Sequence, residues 1–586
     1  MNIDFLKKTV ILVYWSIVLG GVYFVLTISH KEVVDFVFAS VGKAFGNEFV
    51  ERYLPVRSFT IGRSIIAVLL LLLAAMLFYF QSALRLQIGL FYVYCKRAIA
   101  SLTNCLQSDI QTADNKRLFF AIIPIGIFLF QLFLAAIWPF QYDEAWSYNY
   151  HIGNNFFASF LLPNNHIFYT IVAYFFNKLP FPHEVSVRLP LILGSFFAFI
   201  FFYYFLRQHV GKRTAWIGAL FFYSSCPVTF YSFYARGYLF VILFAILFLV
   251  ASYKWLVSQC LNRQALILLS IAFILSVYSV LTAVYFFIPS YMVLVWECYK
   301  VNKSKMKTLM LSIGVCIFIL LLLNTPSLIS GHGANLAKVA QGQITLDVPF
   351  FKLYLFANEY FMLGTKAFGG ALYLFTFVII VVLFRFTERR KSYPLSICFL
   401  GFAMPFFFLY VQKVFLAERI VVHFIIYFSI VFALLIQQVA KYLDFKMFRV
   451  VNHWLFLFLF SALLVTINLH AALNHHYFNW SLDSDKSIKK MATVMKQRGI
   501  DSLYLFADYA KPGIQYYYKI DQMAITLLMP QVGSLDYSKY DSTQLYPSII
   551  WETDRPVPVK TDRYRIIHKD ERFTLALPES LNGSNR

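Results

Sequence analysis

The chain has 586 residues, of which 60% are hydrophobic and 14% are charged, and it carries a formal net charge of +22. Soluble proteins contain about 25% charged residues, so this composition excludes an ordinary soluble protein and indicates a polytopic membrane protein. A positive net charge can favour nucleic acid, but Lys and Arg of membrane proteins concentrate in cytoplasmic loops and face anionic lipid. We therefore expect membrane lipid, and no nucleic acid, as a partner.

Apolar stretches that can cross a hydrocarbon core, which takes roughly 17–25 helical residues, occur about thirteen times if a few short ones are accepted. A further apolar stretch, 165–180, is short and ends in "KLPFPHE", whose prolines stop a helix. We expect that stretch to form a helix on the membrane surface. The predicted transmembrane helices lie near 9–27, 61–80, 118–138, 188–206, 214–232, 237–256, 264–282, 284–298, 307–325, 371–387, 394–411, 420–437 and 453–470.

The basic residues between these stretches predict the topology. With a cytoplasmic N-terminus, every inside loop is basic, including "YKVNKSKMK" and "RFTERRKSY", as the positive-inside rule requires. The pieces 28–60, 139–187, 326–370 and 471–586 then lie outside, and none of the seven cysteines falls in them. The sequence thus predicts a multi-pass protein of the inner (cytoplasmic) membrane whose C-terminal segment is periplasmic or extracellular.

The last part of the chain predicts a small soluble α/β domain. "SDKSIKKMATVMKQRGI" is typical of an amphipathic helix that ends at Gly499, and "SLYLFA" is typical of a strand. "YRIIHKDERFTLALP" predicts a hairpin that turns at residues 569–572. The tyrosines of "DYAKPGIQYYYKID" suit stacking on sugar rings or ordinary helix packing. We divide the chain into an N-terminal two-span extension with a cytoplasmic linker, a membrane core and this α/β domain, at 1–117, 118–470 and 471–586.

Asp143 and Glu144 directly follow a predicted membrane helix, where ionised groups are costly. A lone acid in such a place is ordinarily a solvated helix end. Here, however, further polar residues collect in apolar surroundings on the predicted outer face, in "PNNHIFY", "SVRLP", "FYARGY", "FANEY" and "QKVFLAERIVVH". Acids and bases at one depth indicate a site for a lipid phosphate and a polar substrate.

These motifs resemble the GT-C superfamily of integral-membrane glycosyltransferases, and within it the protein O-mannosyltransferase and aminoarabinose transferase group (glycosyltransferase family 39-like). The resemblance rests on the Asp-Glu pair, the Asn-His-aromatic segment about twenty residues later, "VRLPLILGSFFAFIFFYYFLR", "GKRTAWIGALFFYSSCPVTFYSFYARGY" and "ERIVVHF". It covers 118–250 well, the later spans in outline and the first 110 residues not at all. It implies a GT-C fold for the membrane core, within an all-α polytopic membrane protein whose apolar stretches give about 13 transmembrane helices in total. It also implies an inverting transfer of a sugar from a polyprenyl phosphate to a lipid, glycan or protein acceptor.

The chemistry of such a transfer suggests roles for individual residues. A carboxylate beside the acceptor hydroxyl can take its proton, so we expect Asp143 to be the base and Glu144 to orient Asp143 or the acceptor. Arg and Lys can stabilise the leaving phosphate, although Arg419 and Lys413 would also suit the end of a span. Expected donor-phosphate ligands are Arg419, Arg236, Lys413 and His423, and expected substrate contacts are Tyr148, Asn165, His166, Tyr238 and Glu359.

Plainer interpretations stand beside these roles. Arg188 suits an ordinary loop cation, His166 a satisfied interfacial histidine and Glu359 a solvated acid. Relatives often carry an acid just after the block equivalent to "YARGY", whereas residues 239–241 here are Leu, Phe and Val. Divalent ions want several oxygen ligands, so we expect metal-independent chemistry without a cofactor, with a bound divalent metal as the alternative.

Two other classes of function remain open in the sequence. A transporter or flippase for a lipid-linked sugar would place its ionisable groups near the bilayer midplane, whereas these groups map to the outer boundary. An O-antigen ligase or polymerase would be expected to use a large outer loop rich in Arg and His. The basic or His residues of 326–370 are His332, Lys338, Lys352 and Lys366, which is thin support for such an enzyme.

Overall fold

The computed structural model describes residues 3–41, 56–79, 90–94, 96–97, 99–100, 103–104, 117–153, 166–329, 368–386, 392–412, 422–442, 453–473, 476–505, 510–523, 525–528, 548–552 and 564–578. The long apolar runs form helices, since a segment in lipid must satisfy its backbone polar groups internally. Helices α1 to α17 are Ile3–Thr27, His30–Val41, Val56–Tyr79, Arg117–Ile137, Tyr142–Ser147, Ile167–Phe176, His183–Arg207, Lys212–Ser224, Cys226–Phe233, Tyr238–Val257, Arg263–Ser279, Val284–Val301, Met306–Ile329, Phe368–Phe386, Ser392–Gln412, Phe424–Tyr442 and His453–Leu473.

Several of these helices are long and apolar enough to cross a membrane. Within the described residues there are four such helices, or up to five if a bent pair, Ile122–Ile137 with Tyr142–Ile152, is one span. The finding agrees with a multi-pass membrane protein, while the total of about 13 spans and the sidedness of the loops stay predictions. The four are His183–Arg207, Tyr238–Val257, Leu281–Val301 and Lys303–Asn324.

Two segments of the structure differ in detail from the helices that the sequence predicts. The stretch near 214–232 forms two helices, α8 and α9, that meet at Ser225, where ψ is 152° and the backbone is extended. Pro227 lies in the first turn of α9, a position that favours the start of a helix over its continuation. The predicted surface helix 165–180 forms as the shorter α6, which contacts α7 and α11 and buries Tyr169. This helix therefore packs into the protein on one side.

Helix α7 lies at the centre of the membrane core. It contacts α4, α6, α8, α9 and α10. Its aromatic side chains interlock with those of its neighbours, and the ring of Phe202 lies 4.7 Å from that of Phe222. Aromatic pairs of this kind contribute about 0.5–1.5 kcal/mol beyond their buried area. Because Arg188 lies near the N-terminal end of this helix, its backbone position is fixed by the packing of the core.

The C-terminal part of the chain forms a five-stranded mixed sheet in the order β2-β1-β3-β5-β4. Strand β1 is parallel to β2 and β3, with Tyr504 opposite Ile549, and β5 is antiparallel to β3 and β4, with Ala576 opposite Ile549. Helix α18 contacts both β5 and α19. We call these elements the C-terminal α/β unit. They are α18 His476–Gln497, β1 Ser502–Leu505, α19 Lys511–Ile520, β2 Thr526–Leu528, β3 Ile549–Glu552, β4 Tyr564–Lys569 and β5 Phe573–Pro578.

The end of α18 lies where the sequence predicts it. Gly499 has φ +65°, a left-handed conformation that glycine adopts without steric cost. The N–H of Ile500 donates to the carbonyl of Met495 at 3.0 Å, which closes the last helical turn. The chain can therefore leave the helix and enter β1 within a few residues.

The hairpin turn between β4 and β5 is fastened to α18 by Asp570. Its Oδ1 accepts hydrogen bonds from the N–H groups of Arg572 and Phe573, each at 2.9 Å, and the hydroxyl of Ser487 on α18 donates to Oδ2. Burial alone would raise the pKa of Asp570, but these hydrogen bonds outweigh it and lower the pKa below its ordinary value. The ionised carboxylate is thus the form that stabilises the turn.

Asp570→Asn should lower the stability of the C-terminal α/β unit by about 1–3 kcal/mol, the cost of hydrogen bonds to a charged group. Because the pKa of Asp570 is lower in the folded protein, its contribution is complete above the unfolded value of about 3.9 and is lost as pH falls through the folded value. Thermal unfolding in detergent at pH 7 and pH 3 measures this. The difference in stability between wild type and variant should be smaller at pH 3 than at pH 7, and an equal difference at both values would contradict the assignment.

Candidate active site

The chain turns by 75° between α4 and α5, and a buried guanidinium holds this corner. Pro139 has no N–H, so the carbonyl of Ala135 loses its helical partner. Arg188 Nη1 replaces it at 3.0 Å and also donates to the carbonyl of Trp138 at 2.7 Å. Arg188 Nη2 donates to the carbonyl of Pro139 at 3.0 Å. Helix α5, which carries the Asp-Glu pair, therefore starts from a corner that Arg188 fixes.

Glu144 is the buried carboxylate that pairs with Arg188 at this corner. It accepts from Arg188 Nε at 2.9 Å on Oε1 and from Arg188 Nη2 at 2.6 Å on Oε2. The N–H groups of Ala235, at 2.6 Å, and Gln141, at 2.9 Å, donate to the same two oxygens. These four bonds fill the acceptor sites of a carboxylate, and both charged side chains are only 1% exposed.

The expected role of Glu144 is therefore corrected. A carboxylate with its acceptor sites filled and no access to solvent cannot orient an acceptor, and it affects Asp143 only through the backbone of α5. The interpretation of Arg188 as an ordinary loop cation is wrong for the same reason, because its five N–H donors are all used inside the protein.

Asp143 lies in a different environment from its neighbour. The hydroxyl of Tyr234 donates to Asp143 Oδ2 at 2.9 Å, and Arg236 Nη2 lies 3.9 Å from the same oxygen. Arg236 Nη1 donates to Ser147 Oγ at 2.9 Å and to the Asp143 carbonyl at 3.3 Å. The Asp143 side chain is 26% exposed. Within the Asp-Glu pair, Asp143 is thus the carboxylate that a substrate can reach.

The segment 234–236 faces α5 residue by residue, since its three members contact Asp143, Glu144 and Ser147 in turn. It is followed by Gly237, where an added Cβ would lie 2.6 Å from the backbone oxygen of Ser279. This close approach leaves no room for a side chain. The segment is therefore held against the core behind it, while the side chains of Tyr234 and Arg236 face Asp143.

Three predicted substrate contacts lie in the packing around the site. His166 is buried, and its Nδ1 accepts from the N–H of Gly237 at 3.2 Å. The ring of Tyr238, also buried, lies 4.9 Å from that of His166. Tyr148 is buried with its ring 5.0 Å from that of Tyr516. These contacts show that the three residues support the structure of the site, and their contact with a substrate stays a prediction.

Asp485 of α18 is a third acid near the Glu144–Arg188 pair, and the sequence analysis did not single it out. Its side chain is 5% exposed, and its Oδ2 makes no hydrogen bond to any residue that the structure describes. Burial raises the pKa of Asp485 well above its ordinary value, and the negative charge of Glu144 adds to this effect, while Arg188 opposes it. The neutral acid is therefore the favoured form in the folded protein.

Asp485→Asn should leave the protein about as stable as wild type near pH 3.5, below the unfolded pKa of the acid, and make it more stable at pH 8. The folded protein holds a proton on Asp485 that the unfolded chain releases above a pKa of about 3.9, so wild-type stability falls with rising pH by about 1.4 kcal/mol per unit until the folded pKa. Asparagine does not ionise, so the variant does not lose stability at this position as the pH rises. Thermal unfolding in detergent at the two pH values tests it, and a variant less stable than wild type at pH 8 would show that Asp485 is ionised and paired.

Comparison with solved structures gives three informative matches. The chain is similar to ArnT from Cupriavidus metallidurans in the apo state, with TM-score 0.49 and 12% identity over 79% of this chain and 99% of that one. ArnT bound to undecaprenyl phosphate matches with TM-score 0.48 and 11% identity over 78% and 98%. An Archaeoglobus fulgidus oligosaccharyltransferase tethered to an acceptor peptide matches with TM-score 0.39 and 13% identity over 72% and 60%.

These similarities are too distant to assign the chain to a family. Neither a protein-family model nor a curated protein matches the chain. At this identity and these TM-scores the GT-C likeness assigns no role to a residue, so the roles rest on the contacts of this chain.

Of the donor-phosphate ligands expected from the GT-C resemblance, two lie within the described residues. Arg236 is beside Asp143, as described above. His423 is buried, with its ring 5.6 Å from Phe286 and 5.7 Å from Tyr427. This aromatic enclosure does not favour a phosphate ligand, and the expected role stays a prediction. Asn165, Glu359, Lys413 and Arg419 lie outside the described residues.

The acidic residues around Asp143 bear on the question of metal binding. Over the ranges that the structure describes, no group of three or more His, Cys, Asp or Glu side chains is placed to hold a metal ion. Asp143 and Glu144 point to different partners, so the adjacent pair does not offer two carboxylates to one ion. Metal-independent chemistry remains the prediction.

Proposed function

We propose that the protein is an inverting glycosyltransferase that moves a sugar from a polyprenyl-phosphate donor to an acceptor on the outer face of the membrane. The observation that carries the proposal is the contrast between the adjacent acids. Glu144 is sealed inside the protein with Arg188, whereas Asp143 is partly exposed beside Tyr234 and Arg236. A rigidly mounted, accessible carboxylate at the end of an apolar helix suits a general base for a lipid-anchored substrate.

The transfer can be written with Asp143 as the base. The acceptor hydroxyl attacks the anomeric carbon from the face opposite the phosphate, and its proton passes to the Asp143 carboxylate. The new C–O bond forms as the bond to the phosphate oxygen breaks, and that oxygen keeps the electron pair. The products are a glycosylated acceptor of inverted anomeric configuration, polyprenyl phosphate and a proton held on Asp143.

Arg236 has a narrower role in this proposal than the sequence predicts. Its guanidinium binds Ser147 Oγ and the Asp143 carbonyl and lies close to Asp143 Oδ2. These contacts suit a residue that orients the base. The charge that develops on the leaving phosphate needs a charge-assisted donor, and we assign this task to Arg419 and Lys413.

Reconstitution into liposomes tests the function. Undecaprenyl phosphate, the lipid bound in one of the similar crystal structures, is a suitable first carrier. It would be loaded with radiolabelled hexose, pentose or aminopentose and offered with lipid, glycan and peptide acceptors. Movement of label to an acceptor, with release of undecaprenyl phosphate, is the expected result. Label that crosses the bilayer while still attached to its lipid would indicate a transporter, and no transfer with any donor would reject the proposal.

A further inference from the structure

Helix α19 of the C-terminal α/β unit packs directly against the segment that carries Asp143. The ring of Tyr516 lies 4.5 Å from Phe140, just before α5, and 5.0 Å from Tyr148, just after it. Tyr516 is fully buried in this contact. One side chain of the unit thus touches the chain on both sides of Asp143.

Hydrogen bonds extend this contact along the π-helical turn Tyr148–Ile152 that follows α5. Asn149 Nδ2 donates to the carbonyl of Pro512 at 2.8 Å, and Lys519 Nζ donates to the carbonyl of Asn149 at 3.3 Å. The hydroxyl of Tyr150 donates to Gln515 Oε1 at 3.1 Å. The face of α19 that binds the turn therefore extends from its first turn to its last.

The segment that carries Asp143 needs such support. Helix α5 has six residues and the π-helical turn has five, and helices this short are unstable on their own. The membrane core holds one side of the segment through Arg188 and Tyr234. Helix α19 holds the other side, so the position of the Asp143 backbone depends on both. A displacement of about 1 Å at a reacting group can cost about a hundredfold in rate.

We propose that helix α19 of the C-terminal α/β unit takes part in catalysis by positioning Asp143, with Tyr516 as the residue through which it does so. The inference rests on the proposed function, in which Asp143 is the base. It gives the unit a task in the chemical step itself. A unit that served only to bind an acceptor or to stabilise the chain would not need its most buried aromatic contact at the two ends of α5.

The test compares Tyr516→Ala, Tyr516→Phe and Tyr504→Ala in proteoliposomes, with an undecaprenyl-phosphate-linked radiolabelled sugar as donor. Tyr516→Ala should lower kcat at least about tenfold and leave the donor KM within about twofold, because the proposed effect acts on the position of Asp143 and not on donor binding. Tyr516→Phe keeps the ring and should retain the wild-type kcat. Tyr504→Ala, a truncation in the sheet of the same unit, controls for general loss of stability and should also retain kcat. A Tyr516→Ala enzyme with unchanged kcat would overturn the proposal.

Hydrogen exchange of the protein alone in nanodiscs gives a second readout that needs no donor. Peptides covering 140–152 should exchange at least about tenfold faster in Tyr516→Ala than in Tyr504→Ala. If Tyr516→Ala does not fold, Tyr516→Leu keeps an apolar side chain and takes its place. Unchanged exchange in 140–152 would overturn the positioning role.

Parallel measurement of Asp143→Asn separates the two proposals. Absence of transfer by the wild-type protein would reject the proposed function, and an active Asp143→Asn enzyme would reject Asp143 as its base. An inactive Asp143→Asn enzyme together with a fully active Tyr516→Ala enzyme would reject the positioning role alone.

Discussion

Replacing Asp143 with asparagine should lower sugar transfer by at least about a hundredfold, the lower end of what a general base contributes. Asparagine has nearly the same shape and still offers an oxygen to the hydroxyl of Tyr234. The fold should therefore change little, and the loss should appear in kcat more than in the donor KM. Initial rates in proteoliposomes at saturating donor measure the fall in kcat. Thermal unfolding in detergent measures whether the fold has changed.

The matched control is Asp501→Asn, which makes the same chemical change at an exposed acid just before β1. This variant should transfer sugar at the wild-type rate. The anomeric configuration of the product, read by NMR, should be opposite to that of the donor. A rate for Asp143→Asn close to that of Asp501→Asn, or a product of retained configuration, would show that Asp143 is not the base of an inverting transfer.

The adjacent acids show what a sequence can and cannot reveal about this site. Their place after an apolar run indicates function, but neighbouring helical residues point about 100° apart, so one can be buried while the other is exposed. Which of the two acids is buried depends on Arg188, and Arg188 lies 44 positions along the chain from Glu144. A cation at the start of the apolar "VRLPLIL" run, together with a proline that breaks the preceding helix, was the available signal for this pair.

Long apolar runs and tight turns were easier to predict because their causes are local. The helix end at Gly499 and the hairpin at residues 569–572 follow from a few neighbouring residues, and both are present in the structure. The contact of α19 with α5 depends on two segments about 370 residues apart. The tyrosines of "YYYK" suited either sugar stacking or packing in the sequence, and the burial of Tyr516 against Phe140 identifies packing.

Replacing Arg188 with methionine should destabilise the membrane core by about 3–5 kcal/mol, the cost of removing one partner from a buried ion pair. Methionine fills much of the space but leaves the Glu144 carboxylate buried with two donors instead of four. It also leaves the carbonyls of Ala135, Trp138 and Pro139 without the donor that holds the corner. The yield of folded protein and the midpoint of thermal unfolding in detergent should both fall.

Two further variants identify the cause of the lower stability of Arg188→Met. Arg498→Met removes an exposed arginine after α18 and should leave the unfolding midpoint unchanged. The double variant Glu144→Gln with Arg188→Met removes the unpaired charge, so it should recover part of the stability that Arg188→Met loses. An Arg188→Met protein as stable as Arg498→Met would contradict a structural role for the ion pair. A double variant no better than Arg188→Met would instead show that Arg188 matters chiefly for the three carbonyls at the corner, and that the charge of Glu144 is held by its two backbone N–H donors.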